Sequence, residues 1–283
     1  MKTLSESEIY NKNIFLRVDL NVPMMNGKIR DESKITSVIP TIKYLIKNNN
    51  RIIICSHLGR PKGSYDKNLS LEPIAKRLSK FLENIEIKII NLPFDNLSRD
   101  EFQSSNIYML ENIRFDSREE LNSETLSNEL SKFADIYIND AFASSHRKHA
   151  STYGITKFLP SYAGFLLEKE INSLNELFSK KFSKKLAIVG GAKVSDKIQL
   201  INSLSKKLDF ILIGGGMISA FVQKNHPDHA FAEEIVINSK AKIIIPEYVL
   251  VGNEFNENTK YKIINTVDIQ DNLNINILDI AEK

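Results

Sequence analysis

Apolar positions along this chain gather into short β-branched runs, and the stretches between them carry apolar residues at helical spacing. Runs of strand character occupy residues 14–18, 51–55, 85–90, 107–110 and 136–138. Residues 35–46 and 72–82 instead repeat apolar side chains at intervals near three and four, which predicts amphipathic helices. Strands alternating with helices predict a parallel α/β architecture. Residues 162–178 read as one long helix, with Leu166, Leu167, Ile171, Leu174 and Phe178 on or near one stripe, placed to join two domains. Beyond it, residues 185–189, 210–213 and 242–245 return to the buried-strand pattern, with glycine-rich turns after the first two, and residues 276–280 form a further strand. The predicted organisation is a domain over residues 1–160, a connecting helix over 161–180 and a second α/β domain over 181–283. A parallel sheet finished at residue 283 is expected to leave its last strand uncovered.

Composition narrows the function classes. A chain of 283 residues suits two domains. Hydrophobic residues at 42% and charged residues at 26% exclude disordered, collagen-like and membrane-spanning classes. The balance of 38 basic against 35 acidic residues is too slight to argue for nucleic acid or a membrane as partner, and leaves small anions. Cys55 is the single cysteine, so no intrachain disulfide can form; it reads as a small apolar residue of a buried strand in a reducing compartment. The opening MKTLSESEIY lacks the apolar core of a signal peptide, and no run approaches the roughly 18 apolar residues of a membrane span. A cytoplasmic location is expected.

Four stretches of the first domain place polar groups straight after a predicted strand: Asp19, Leu20 and Asn21; Ser56, His57, Leu58, Gly59 and Arg60; Glu111, Asn112 and Arg114; and Asn139 and Asp140 leading to His146 and Arg147. In an open parallel sheet the carboxyl ends of the strands form the ligand crevice, so these loops converge on one edge. Arg60, Arg114 and Arg147, with His57, offer donors suited to phosphate and carboxylate oxygens, while Asp19 and Asn21 suit hydroxyls or orient the arginines. Each arginine alone reads equally well as a solvated surface group; the shared placement argues for the set. In the second domain, the stretch GGAKVSDK from Gly190 to Lys197 follows a strand and opens a helix, as a phosphate-binding loop does. It has neither the Walker spacing nor the dinucleotide fingerprint. Gly214, Gly215, Gly216 and Met217 follow the next strand and line the same edge, or serve simply as a turn. His146, His149, Asp140 and Glu111 match no zinc spacing, so no metal site is assigned to them. No Gly-x-Ser-x-Gly elbow is present.

Taken in order, RVDLNVP, SHLGRPKG, LENIRF, NDAF with SSHRKHAS, AGFLLEKE, GGAKVSDKI and GGGM resemble the signature segments of the phosphoglycerate kinase family, and the resemblance runs from about residue 14 to about residue 280. It implies two Rossmann-like parallel-sheet domains, the first binding 3-phosphoglycerate and the second nucleotide with Mg2+, in a monomeric glycolytic enzyme. The implied reaction moves a phosphoryl group reversibly between 1,3-bisphosphoglycerate and ADP, giving 3-phosphoglycerate and ATP. Asp19, Leu20, Asn21, His57, Leu58, Gly59, Arg60, Arg114 and Arg147 fall on substrate-binding segments. Lys193 falls on the lysine that contacts the transferring phosphate, and Gly191, Lys193, Lys197, Gly214, Gly215 and Gly216 on nucleotide-binding segments. Two departures concern chemistry: Lys34 stands where the family usually has an arginine supporting that phosphate, keeping charge but losing the fork, and Ala143 and Ser144 replace glycine and threonine. A third concerns extent, since the chain stops at Lys283 where the family continues with Gly-Pro-Lys-Thr, so the second domain is expected to be partial. The alternative is a non-catalytic module that binds phosphoglycerate without a complete nucleotide site.

Overall fold

The computed structural model describes residues 1–25, 27–91, 107–179, 184–191, 193–254, 259–269 and 276–281. Ala192 of the expected phosphate loop, the Phe178 side chain of the expected stripe and the terminal Glu282 and Lys283 lie outside what is described. The chain divides into two compact units, Met1–Leu174 and Asn175–Lys283.

Unit 1 runs β1 (Asn13–Val18), a small hairpin of β2 (Met24–Met25) and β3 (Lys28–Ile29), α1 (Ser33–Ser37), α2 (Ile39–Lys47), β4 (Arg51–Cys55), α3 (Glu72–Phe81), β5 (Ile87–Ile90), β6 (Ile107–Leu110), α4 (Glu124–Ser131), β7 (Ile136–Asp140), β8 (Ser161–Ala163) and the first part of α5 (Phe165–Phe178). Six strands form one parallel sheet in the order β5-β6-β4-β1-β7-β8. Alternation along β1 sends Ile14, Leu16 and Val18 to a core layer shared with α1, α2 and α3, and Phe15 to a second layer with Leu126 and Leu130 of α4. Both faces of the sheet are thereby covered, which is why its strands read as continuous apolar runs.

Two predicted helices change on contact with the structure. The stretch 35–46 is two helices, because Pro40 has no N–H and its ring crowds the preceding turn; α1 ends at Ser37 and α2 restarts with the proline in its first turn. The long helix begins at Phe165 rather than 162, because residues 161–163 add a sixth strand to the open edge of β7, in the register Tyr137↔Ser161. Of the expected stripe, Leu167 is buried, Leu166 and Ile171 are half-buried, and Leu174 is exposed. The boundary between the two units falls within this helix.

Unit 2 holds β9 (Leu186–Gly190), α6 (Ile198–Ser205), β10 (Phe210–Gly214), α7 (Ile218–Val222), α8 (His229–Asn238), β11 (Lys242–Ile244), β12 (Tyr248–Gly252), β13 (Tyr261–Asn265) and β14 (Asn276–Ala281). A parallel sheet of order β11-β10-β9 shares a core with a separate antiparallel sheet of order β13-β12-β14. The expectation that the strand at 276–280 closes the parallel sheet is therefore corrected: β14 runs antiparallel to β12, with Val249 opposite Ile280. Among the described residues, the strand left at the edge, leading into the expected phosphate loop, is β9, with Leu186 and Ile188 exposed.

Candidate active site

In unit 1 the chain leaves β1 toward β4 on one side and meets β7 on the other, so the carboxyl ends of these strands border the crevice of a doubly wound sheet. The four loops named from sequence all begin there. Asp19 follows β1; its Oδ1 accepts from the Asn21 N–H at 3.0 Å and its Oδ2 pairs with Lys34 Nζ at 2.9 Å. Lys34 thus reaches the cluster from α1, whereas Arg30, four residues earlier, donates to Met25 Sδ on the small hairpin. Asn21 Oδ1 accepts from the Gly59 N–H at 2.9 Å, joining the loop after β1 to the loop after β4. Gly59 has φ +62, and a Cβ there would stand 2.7 Å from Leu69 Cδ2, so glycine holds this turn without strain. Arg114 is buried; its Nη1 donates to Gly59 O at 2.7 Å and its Nε lies 3.1 Å from Glu120 Oε1. Arg147 is half-buried, and Arg60 is exposed without a side-chain partner among the described residues.

Like charges crowd this edge of the sheet. Burial, then Arg17, Arg114, Arg147 and Lys34, hold the His57 imidazole down at about 2, so it stays neutral among four cations. Burial likewise pulls Arg114 below its ordinary value, with Arg147 and Arg17 adding to the push and Glu120 opposing it. A cluster whose cations destabilise one another is relieved by a small polyanion.

Several residues that build this site were given no role of their own from sequence. Arg17 has the largest fully buried side chain among the described residues, an arginine inside the apolar run IFLRV, and that misplaced charge was the available signal. Asn112, fully buried, accepts from the Leu58 N–H and donates to Leu58 O at 2.7 Å and Leu69 O at 2.9 Å, holding the loop after β4 in place. Ser56 Oγ accepts from the Leu20 N–H at 2.9 Å. Glu111 and Asp140, set aside as metal ligands, are occupied structurally: Glu111 takes Ser70 Oγ and the Leu71 N–H, each at 2.7 Å, and Asp140 takes the Leu167 N–H at 3.0 Å. The Cys55 thiol is buried on β4 and pushed up to about 12, an inert core residue.

In unit 2 the two glycine-rich loops do meet. Gly190 and Gly214 are paired across β9 and β10, and the Met217 N–H donates to Gly191 O at 2.9 Å. A Cβ on Gly215, at φ +63, would stand 3.5 Å from Gly191 N and O. Lys193 is exposed, and the Lys197 side chain passes over Gly191, with its Cε 3.7 Å from where a Cβ would stand. Sequence reasoning missed the anchor of this loop. Asp228 Oδ2 accepts from the Val194 N–H at 2.9 Å and from Ser195 N and Oγ, each at 3.3 Å. Partial burial works to raise the Asp228 carboxyl, but the Ser195 and Val194 N–H groups and the Ser195 hydroxyl outweigh it and hold the group below its usual range. Asp228→Ala is expected to loosen the loop, with faster amide exchange at Val194 and Ser195 and Asp228→Asn intermediate, in hydrogen-exchange measurements. Equal exchange in all three chains would remove Asp228 from that role.

The family model described as phosphoglycerate kinase matches residues 4–283. The chain belongs to the phosphoglycerate kinase family. It is 40% identical over 290 residues to the phosphoglycerate kinase of Finegoldia magna, covering 96% of this chain and 73% of that protein. It is 42% identical over 224 residues to that of Pelotomaculum thermopropionicum, covering 78% of this chain and 57% of the relative. Among solved structures, phosphoglycerate kinase from Pyrococcus horikoshii OT3 superposes with a TM-score of 0.81 at 31% identity, over 95% of this chain and 72% of that one. The Coxiella burnetii enzyme gives 0.76 at 32% identity, over 99% of this chain and 74% of that one. As a member of the phosphoglycerate kinase family the chain is a phosphotransferase, with the mixed α/β fold expected of it, and nothing in these matches favours the binding-only alternative.

Proposed function

We propose that unit 1 binds 3-phosphoglycerate, that unit 2 binds ATP or ADP, and that the chain's kinase activity is the reversible exchange of a phosphoryl group between them. In the direction of ATP use, a carboxylate oxygen of 3-phosphoglycerate attacks the γ-phosphorus; the new bond is the acyl phosphate of 1,3-bisphosphoglycerate, and the bond broken releases ADP. A carboxylate is already a nucleophile, so no general base is needed. The observation that carries the reading is the set of cations held at the sheet edge where a ligand belongs: Arg17 against His57 Nδ1, Arg114 on Gly59 O and Lys34 on Asp19, with burial and the surrounding cations keeping His57 neutral. Arg60, Arg114, Arg147 and His57 supply donors to the acid's phosphate and carboxylate, and Asp19, Leu20, Asn21, Leu58 and Gly59 frame its short carbon chain. Lys34 adds charge held by Asp19.

The phosphates of the nucleotide fall to the backbone of Gly191 and of Gly214 to Gly216, with Lys193 and Lys197 as mobile cations. A loose transition state spreads charge over the equatorial oxygens, so Lys193 acts where that charge develops. Among the described residues no group of three or more His, Cys, Asp or Glu side chains is arranged to hold a metal. Magnesium is accordingly read as part of the nucleotide substrate, held by its phosphates. A monomer in the cytoplasm is the accompanying expectation; no helix of the described residues is long and apolar enough to cross a membrane.

The test is calorimetric titration of the 283-residue chain with 3-phosphoglycerate and separately with magnesium-ADP, followed by coupled turnover. Saturable binding of each ligand is expected. No binding of the acid by a folded chain would sink the assignment of unit 1. Lys193→Ala is expected to reduce turnover by about 10²- to 10³-fold while acid binding is unchanged; retained turnover would displace Lys193 from the transferring phosphate.

A further inference from the structure

Behind the cationic cluster lies a buried chain of hydrogen bonds that the proposed reaction does not use. Arg17 is 1% exposed, His57 3%, and Ser151 and Glu119 are fully buried. Arg17 Nε donates to Ser151 Oγ at 2.9 Å; the Ser151 hydroxyl and N–H in turn donate to Glu119 Oε1 at 2.7 Å and Oε2 at 2.9 Å. At its other end the same guanidinium places Nη2 at 3.2 Å from His57 Nδ1, while Nη1 donates to the carbonyl oxygens of Val18 and Cys55.

The chemistry of these groups has one consistent assignment. A guanidinium has only donors and does not lose its proton, so a ring nitrogen facing it must accept. His57 Nδ1 is therefore bare, and the one proton of the neutral ring sits on Nε2. That nitrogen has no partner among the described residues, and it is not sealed in, because among those residues the fully buried side-chain polar atoms without a partner are Asn122 Oδ1 and Asp140 Oδ2. We infer that Arg17, oriented by Ser151 and through it by Glu119, is a positioning residue that fixes the Nε2–H tautomer of His57 and so presents one neutral N–H donor to an anion in the cluster.

This rests on the reading of the cluster as the acid site and deepens it. An imidazole free to choose its tautomer would offer an acceptor to a carboxylate or phosphate part of the time; the locked ring always donates. Protonating the ring would set two donors face to face at Nδ1, next to Lys34 from α1, Arg114 from the loop after β6 and Arg147 from the loop after β7. Glu119, on the far side of Ser151, does not touch the ring; burial pushes its carboxyl up, with Arg17 and the two Ser151 donors opposing. His149 Nδ1, 3.7 Å from Glu119 Oε1, is the other group beside it.

Nitrogen-15 spectra of the histidine rings in the full chain test this directly. His57 is expected as a single Nε2–H tautomer that does not titrate between about pH 5.5 and 8. Ser151→Ala leaves Arg17 in place but removes the bridge to Glu119; it is expected to bring a second tautomer or a titrating His57 signal, together with a roughly three- to tenfold loss of 3-phosphoglycerate affinity. Arg17→Lys, which keeps the charge but not the fork, is expected to do the same if Ser151→Ala folds poorly. A His57 ring protonated on Nδ1 in the unaltered chain would overturn the proposal. So would an unchanged His57 signal in both variants. If the unaltered chain shows the expected tautomer yet binds no 3-phosphoglycerate, the acid-site reading falls, and the ligand role of His57 falls with it.

Discussion

Replacing Arg114 by alanine is expected to weaken 3-phosphoglycerate binding by roughly two orders of magnitude while moving the melting temperature of the unliganded chain little. The two effects separate because Arg114 lives in conflict with its surroundings. Its guanidinium is buried and pulled below its ordinary value, with Arg147 and Arg17 pressing on it. Removing it loses one hydrogen bond to Gly59 O, of order 1 kcal/mol, and an ion pair to Glu120, which is half exposed and gains back its hydration. Relief of repulsion offsets much of that loss in the empty chain. With the acid bound the sum reverses: a desolvated, hydrogen-bonded charge pair loses one member, at about 2–4 kcal/mol. Arg114→Lys keeps the charge without the fork and should fall between. Calorimetric titration beside a thermal melt makes the comparison. A large drop in melting temperature with unchanged affinity would mean that Arg114 is a structural residue and that the cluster binds elsewhere.

The largest effect on folding is expected from Gly164→Ala. Gly164 lies between β8 and α5, and its N–H donates to Asn139 O at 2.8 Å. Its φ is not in the left-handed region, so the reason for glycine is space alone: an added Cβ would press on the Asp140 carboxyl and stand 2.8 Å from the Asp140 Cβ. Asp140 cannot swing aside cheaply. It is fully buried, its Oδ1 holds the Leu167 N–H in the first turn of α5, and its Oδ2 has no hydrogen-bond partner among the described residues. Overpacking at about 1–3 kcal/mol and a stripped buried N–H at a similar cost add to about 3–5 kcal/mol, roughly a 10 °C fall for a unit of this size. Combining Gly164→Ala with Asp140→Ala should be clearly less than additive in a double-mutant cycle, because the second change removes the group that clashes. Additive losses would refute the steric account.

What could be read from sequence was local. The strand over 51–55 appears in the structure with the same ends, as β4, because a β-branched run bounded by polar residues needs no knowledge of its neighbours. The helix over Glu72–Phe81 follows for a similar reason, with Pro73 in its first turn. The placement of Asp19, His57, Arg114 and Arg147 after strands was legible once the strands were, since a parallel sheet gathers the carboxyl ends of its strands on one edge. The break at Pro40 was also written in the sequence and was passed over. By itself, then, the sequence determined the α/β class, the family and the cast of charged residues at the sheet edge. Only the tertiary structure decided which of them touch. Ser151 meets Arg17 across 134 positions, Glu119 meets Ser151 across 32, and Asp228 meets Val194 across 34. The physical reason is one of range. Backbone preference and periodicity act over a few residues, whereas a buried hydrogen bond joins whatever the packed layers bring within about 3 Å. Which face of β1 carries Arg17 inward, and what waits there to receive it, is settled only when the helices have closed over both sides of the sheet.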